Sequence, residues 1–222
     1  MRQRWHDLLF CHWPVAPGLL QPLLPRGLEL ETRDGCAWLG IIPFRMSGIR
    51  FRYLPPIPGT SAFLEMNVRT YVTCNGLPGV WFFSLDAANL LAVKVARAWF
   101  GLPYFHARME MREEAGSIHY LSLRQGRLLR LRYQPEGPAR RAPPGSLDHW
   151  LTERYRLYAC KRNGSLRCAE VVHEPWLLQP ASAQIEENSM APCPLPAAPP
   201  LLHFARSLDV GVCRPARAPT LA

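Results

Sequence analysis

The sequence predicts a β-rich α+β fold in which a mostly antiparallel sheet closes into a β-barrel, on three observations. Many runs alternate or are rich in β-branched and aromatic residues, near 28–32, 36–45, 62–74, 80–86, 104–112, 117–123, 127–133, 153–160, 165–172 and 205–213. Short Gly- and Asn-containing turns separate them, which implies antiparallel neighbours. One segment only reads as a substantial helix, and closing the sheet would remove its vulnerable edges.

Taken in order, Pro17 to Leu24 reads as a short helix and Arg33-Asp34-Gly35 as a turn into the next strand. Leu54-Pro55-Pro56-Ile57-Pro58-Gly59 lacks backbone donors and reads as a loop, a candidate rim or lid for a site on the strand after it. Asn75-Gly76-Leu77-Pro78-Gly79 is a turn between strands. The main helix spans about 87–100, with Asp86 as N-cap, Leu90, Leu91, Val93, Val95, Ala98 and Trp99 apolar, and Gly101 as its stop. Ala115-Gly116, Gln125-Gly126 and Arg162-Asn163-Gly164 are further turns, and Ser146 caps a short helix to Leu151. The Pro-rich stretch from Ala191 to Pro200 is an extended connection. Residues 1–214 read as a single domain and 215–222 as a flexible C-terminal tail.

Composition narrows the function. The chain has 222 residues and lacks an apolar run long enough for a membrane-spanning helix, and its N-terminus has no full signal-peptide pattern, so a cytoplasmic, non-membrane protein is expected. Seven scattered cysteines with no C-x-x-C pair argue against a disulfide framework and a structural metal. The net charge of +9 rests on 24 arginines and two lysines. That lopsided usage is a compositional bias rather than a phosphate-binding stripe, because in Leu129-Arg130-Leu131-Arg132-Tyr133 the arginines alternate with apolar residues as on a half-solvated strand. Nucleic acid is therefore not the expected partner; a small organic molecule is, and homo-oligomerisation is compatible with the chain.

The most informative stretch is Leu64-Glu65-Met66-Asn67-Val68-Arg69-Thr70-Tyr71-Val72. Strand alternation puts Glu65, Asn67, Arg69 and Tyr71 on one face and Leu64, Met66, Val68 and Val72 on the other. Arg69 can clamp a carboxylate, Asn67 and Tyr71 can orient oxygens, and Glu65 can move a proton if burial raises its pKa. A solvated strand face is the alternative. Trp5, His6, Asp7, Phe10, His12 and Trp13 mix aromatic rings with titratable groups, as small-molecule pockets do. In Leu151-Thr152-Glu153-Arg154-Tyr155-Arg156-Leu157-Tyr158, Tyr155 and Glu153 share one side and could reach a pocket, the alternative being a packed Tyr beneath outward arginines. His173 to Pro180 is a candidate rim with Trp176 as a stacking surface. Lys94 and Lys161, on a helix face and before a turn, are ordinary solvated positions rather than Schiff-base nucleophiles.

Arg4-Trp5-His6-Asp7-Leu8-Leu9-Phe10 with His12-Trp13-Pro14, Leu23-Leu24-Pro25-Arg26-Gly27-Leu28-Glu29-Leu30, Glu65-Met66-Asn67-Val68-Arg69-Thr70-Tyr71, Phe82-Phe83-Ser84-Leu85-Asp86-Ala87, Gly101-Leu102-Pro103-Tyr104, Leu151-Thr152-Glu153-Arg154-Tyr155 and Leu202-His203-Phe204-Ala205 resemble the signature blocks of the bacterial YqjF-like family, a domain of unknown function. That family is similar to the acetoacetate decarboxylase superfamily, and the resemblance implies a β-barrel with an internal site. Pro25 to Leu30 resembles the decarboxylases' Pro-x-x-Leu-Glu-hydrophobic segment, and Phe63-Leu64-Glu65 falls where they carry their site glutamate. Their site arginine falls near Arg4 to His6, in a different local pattern. Their Schiff-base lysine falls in Phe100-Gly101-Leu102-Pro103-Tyr104, where this chain has no lysine. The expectation is an internal pocket, needing no cofactor, for a carboxylate- or carbonyl-bearing molecule, lined by Glu65, Asn67, Arg69 and Tyr71 with His12, Trp13 and Tyr155. Glu65 would be the catalytic acid/base of a lysine-independent lyase or proton-transfer enzyme. The alternative is a non-catalytic ligand-binding module.

Overall fold

A computed structural model describes residues 1–50, 61–161 and 163–218. Its strands are β1 (Arg2–Val15), β2 (Glu29–Leu30), β3 (Ala37–Arg50), β4 (Phe63–Cys74), β5 (Leu77–Ala87), β6 (Tyr104–His106), β7 (Arg108–Glu114), β8 (Ser117–Arg124), β9 (Arg127–Pro135), β10 (Arg156–Cys160), β11 (Leu166–His173), β12 (Gln179–Asn188), β13 (Leu201–Val212) and β14 (Ala216–Arg217). The helices are α1 (Pro17–Leu20), which runs on into a 3₁₀ turn, α2 (Leu90–Phe100) and α3 (Leu147–Thr152).

The turns behave as their residues dictate. Asn75-Gly76, Ala115-Gly116 and Gln125-Gly126 each place two successive residues at φ between 48 and 81°, the type I′ geometry whose twist matches antiparallel strands. They join β4 to β5, β7 to β8 and β8 to β9. Strands β11, β10, β5, β4, β3, β1 and β13 are hydrogen-bonded in that order, and β11 pairs with β13 to close the ring. Pairing is antiparallel around the ring except between β10 and β5. Strands β7, β8, β9 and β12 make a second sheet, joined to the ring where Gln179 and Pro180 pair with β13.

That second sheet covers one flank of the ring. Leu9, Cys11, Leu39, Ile41, Met66 and Val68, pointing out of the ring, pack against Ile118, Tyr120, Leu129, Leu131 and Tyr133. On β9 the exposed Arg130 and Arg132 alternate with buried Leu129, Leu131 and Tyr133, as a strand with one wet face requires. The flank also holds an ion pair: Arg124 Nε lies 2.9 Å from Asp86 Oδ1, off the line of a good hydrogen bond, while Ser122 Oγ donates to Asp86 Oδ2 at 3.2 Å.

Three expectations are corrected. Asp86 does not cap a helix; it stays in β5 to meet Arg124, and α2 starts later, with Asn89 Oδ1 accepting from Ala92 N. Arg2–Val15, not foreseen as a strand, forms the long β1, and Gln179–Asn188 forms β12. Arg124, by contrast with Arg130 and Arg132, is buried and faces the Asp86 carboxylate. The expected tail is in part ordered: Ala216 and Arg217 pair with β11, and Ala218 packs with Leu28, Val72 and Tyr158. Residues 219–222, Arg162 and the Pro-rich rim expected at Leu54 to Gly59 lie outside the described residues.

Candidate functional site

Strand β4 is buried on both faces. Met66 and Val68 point into the core shared with the second sheet, so their opposite-facing neighbours Glu65, Asn67 and Arg69 point inside the ring. There they line a cavity of about 250 Å³. Most of its wall is apolar, from Trp5, Phe44, Phe82, Leu85, Phe100 and Trp176 among others, and α2 contributes Leu91, Ala92, Val95 and Ala96.

Two irregularities steer side chains into this space. In β1 the register against β3 shifts between His6 and Cys11, and Asp7 sits at φ 53°. Before the bulge odd-numbered Gln3 and Trp5 reach the cavity; after it even-numbered Leu8, Phe10 and His12 turn inward. The bulge is held by Tyr133 Oη donating to the Asp7 carbonyl at 2.6 Å and by Arg45 and Arg206 on the Asp7 carboxylate at 3.0 and 3.3 Å. In β5 the register shifts opposite Val68 and Arg69, which brings both Phe82 and Leu85 to the cavity wall.

The polar row has two chemically different ends. At one end Tyr104 Oη donates to Glu65 Oε2 at 2.9 Å, and Oε1 makes no hydrogen bond with the described residues. Burial pushes the Glu65 carboxyl up from 4.5 to about 8; the Tyr104 hydrogen bond opposes the shift and the Asp86 charge adds to it. Glu65 is thus mainly protonated at neutral pH, a donor as well as an acceptor. Asn67, in the middle, is buried, and its Oδ1 has no partner among the described residues.

At the other end Arg69 is 9% exposed and has no carboxylate within 4 Å among the described residues. Its Nη2 reaches the Leu151 carbonyl at 3.4 Å and its Nε is unpartnered, while its guanidinium carbon lies 5.7 and 5.8 Å from the ring centres of Phe10 and Tyr71. Its neighbour Arg154 is by contrast neutralised, gripping Glu31 at 2.8 and 3.2 Å and lying 4.4 Å from the Trp150 ring centre.

Beneath Arg69, Tyr71 Oη is 2.8 Å from the Leu151 carbonyl and 2.7 Å from His12 Nε2. Burial, and then the charges of Arg69 and His203, hold His12 well below its usual pKa, so the ring is neutral. One assignment gives every hydrogen an acceptor: Tyr71 donates to Leu151 and His12 Nε2–H donates to Tyr71. The imidazole fits because residue 40 is glycine. A Cβ there would lie 3.1 Å from His12 Cδ2 and 3.2 Å from Nε2.

The structure therefore brings Glu65, Asn67 and Arg69 to one cavity and places Tyr71 and His12 in the layer that supports Arg69. It does not bring in Trp13, which after the β1 bulge faces the core shared with the second sheet. Nor does it bring in Tyr155, which is 38% exposed, donates to Glu153 and stacks on His173. Tyr155 precedes β10, so the alternation that would turn it inward has not begun, and Arg154, Arg156 and Leu157 take the cavity side. Sequence reasoning also missed Tyr104, Gln3 and Thr152. Tyr104 had one available signal, its place after the Gly101 stop, where the chain must re-enter the sheet. Lys94 and Lys161 are both exposed and neither lines the cavity. Among the described residues no cluster of three or more His, Cys, Asp or Glu could hold a metal, and no helix is long and apolar enough to cross a membrane.

Among solved structures the fold is similar to an acetoacetate decarboxylase-like enzyme from Sphingomonas wittichii RW1, with a TM-score of 0.70 and 15% identity over 99% of this chain and 93% of that one. It is also similar to the enduracididine biosynthesis enzyme MppR complexed with the condensation product of pyruvate and imidazole 4-carboxaldehyde, with a TM-score of 0.68 and 12% identity over 97% and 88%. Acetoacetate decarboxylase from Legionella pneumophila gives a TM-score of 0.63 and 14% identity over 97% and 87%. These likenesses show an acetoacetate decarboxylase-like fold. In sequence, the chain is 47% identical over 216 residues to the uncharacterized protein YqjF of Bacillus subtilis (strain 168), covering 95% of this chain and 89% of that protein. With the DUF2071 model, an uncharacterized conserved protein, matching residues 2–209 as well, the chain belongs to the DUF2071 family.

Proposed function

We propose that the ring cavity binds a small organic carboxylate that also carries a carbonyl group, with Arg69 clamping the carboxylate and Glu65 exchanging a proton with the carbonyl. The observation that carries this reading is the buried Arg69 guanidinium with no carboxylate partner among the described residues. Burying a charge without a counter-ion costs several kcal/mol, and an anionic ligand offsets that cost. Asn67 supplies an amide beside the clamp. Glu65, protonated and hydrogen-bonded by Tyr104, donates to the carbonyl oxygen and takes the proton back as its conjugate base. No lysine lines the cavity, so the chemistry runs without a Schiff base. MppR, of similar fold, has been seen with pyruvate, which lends weight to an oxo acid as ligand class.

Isothermal calorimetry with oxo acids, other carboxylates and their neutral methyl esters, on wild type and Arg69→Met, tests the clamp. Acids should bind wild type at least about tenfold more tightly than their esters, and Arg69→Met should erase the difference. Equal affinity for acids and esters would overturn the reading. Among acids that bind, Glu65→Gln then separates a catalyst, which loses turnover while keeping affinity, from a binding module with no turnover to lose.

A further inference from the structure

The register of β4 bears on the length of the ligand. Glu65 and Arg69 are separated by four residues on one strand, so their Cα atoms lie about 13 Å apart. Neither side chain folds back toward the other. Glu65 is tied to Tyr104, and the Arg69 guanidinium sits between Phe10 and Tyr71 with a bond to the Leu151 carbonyl. No ion pair joins the two. In a short 3-oxo acid the carboxyl and ketone carbons are two bonds apart, about 2.5 Å, so such a molecule can occupy one end of the row only.

Apart from the Asn67 amide midway along it, the wall between the two ends is apolar and aromatic. Phe82 stands opposite Arg69, Leu85 opposite Asn67 and Phe44 opposite Glu65, with Trp5 and Phe100 also on the wall. The cavity of about 250 Å³ holds roughly eight waters' worth of space at ~30 Å³ each, more than a four-carbon acid fills. Water against such a surface is displaced favourably by a flat apolar body.

We infer that the site takes a two-headed aryl acid: a carboxylate held by Arg69, an aromatic ring lying along Phe82, Leu85 and Phe44, and at the far end a carbonyl oxygen that accepts from Glu65. The inference rests on the proposed clamp and adds the span and the apolar body to it. Short oxo acids meet only half of the recognition surface.

Three probes separate the parts: 4-acetylbenzoate has both heads and the ring, benzoate lacks the far acceptor, and 3-oxobutanoate lacks the ring and the span. Calorimetry on wild type near pH 6.5 should rank 4-acetylbenzoate about tenfold tighter than each of the others, the worth of one buried hydrogen bond or of part of a buried ring. The advantage over benzoate should vanish in Glu65→Leu, persist largely in Glu65→Gln, whose amide still donates, and fade in wild type as the pH is taken to 9.5. The wild-type pH series decides the matter if Glu65→Leu fails to fold. If 3-oxobutanoate binds as tightly as 4-acetylbenzoate, and both depend on Arg69, the span is wrong while the clamp stands. If no acid depends on Arg69, both readings fall.

Discussion

At the scale of single residues the site is built from groups that water would serve better, and each leaves a measurable trace. Glu65 titrates near 4.5 when exposed and near 8 in the fold. Its protonated form is thus favoured by folding, so its contribution is fully present below pH 4.5 and is lost as the pH rises through 8. By this group alone the protein should become less stable between those limits, by an amount on the order of several kcal/mol. Glu65→Gln should flatten that fall, leaving the variant the more stable protein above pH 8, as urea midpoints taken across pH 5–9 would show. A parallel decline in both proteins would mean that Glu65 is not buried as described. Gly40→Ala acts one layer deeper. Its methyl meets the His12 ring at about van der Waals overlap, so the ring must move and the His12–Tyr71–Leu151 chain under Arg69 loosens. The expected cost is about 1–3 kcal/mol of stability, with a loss of carboxylate affinity that Gly40→Ala shares with Arg69→Met but that a surface control such as Gly18→Ala, whose added Cβ has nothing within 4 Å, does not.

At the scale of elements, bulges decide which residues become functional. Tyr133→Phe removes the donor to the Asp7 carbonyl while keeping the ring, and should cost about 1–2 kcal/mol by denaturant unfolding; no change would mean that water replaces the phenol there. The same bulge explains what could and could not be read from the sequence. Alternation from Leu64 to Val72, interrupted on the apolar face only by Thr70, made the polar face of β4 readable, and the Gly-containing pairs made the hairpins readable. In β1 the alternation reverses at Asp7, so no single period fits residues 2–15, and the strand stayed hidden along with the outward turn of Trp13. Tyr155 was misplaced because β10 starts one residue later. Asp86 looked like a cap because Asp precedes a helical run, yet its partner Arg124 lies 38 positions away on a different sheet, a contact no local pattern encodes. Tyr104 reaches Glu65 across a comparable gap of 39 positions. Local periods thus reveal faces, while the pairing of faces is a property of the closed ring.

At the scale of the whole molecule, β4 and β5 serve two compartments, and the division between them sets where charge is tolerated. On the cavity side Arg69 lacks a carboxylate partner among the described residues; on the other side Asp86 and Arg124 compensate each other where the second sheet packs on the ring. Asp86 is fully buried, and its pKa is raised by burial and held down chiefly by Arg124. Arg124→Met keeps the length of the side chain but leaves Asp86 with the Ser122 hydrogen bond and the weaker influence of the Arg127 charge, and breaking a buried pair on one side typically costs about 3–5 kcal/mol. Because the stranded carboxyl can escape the penalty by taking up a proton, its folded pKa rises further in the variant, and the loss should be greatest near pH 8 and shrink toward pH 5. Asp86→Leu combined with Arg124→Met removes both charges and should recover most of the stability at every pH, since an apolar pair of similar volume fits a site walled by Phe105 and the core. Urea unfolding of the three proteins at the two pH values decides the point: if the single variant loses less than about 1 kcal/mol at both, the two layers are held by packing alone and the pair is incidental to their union.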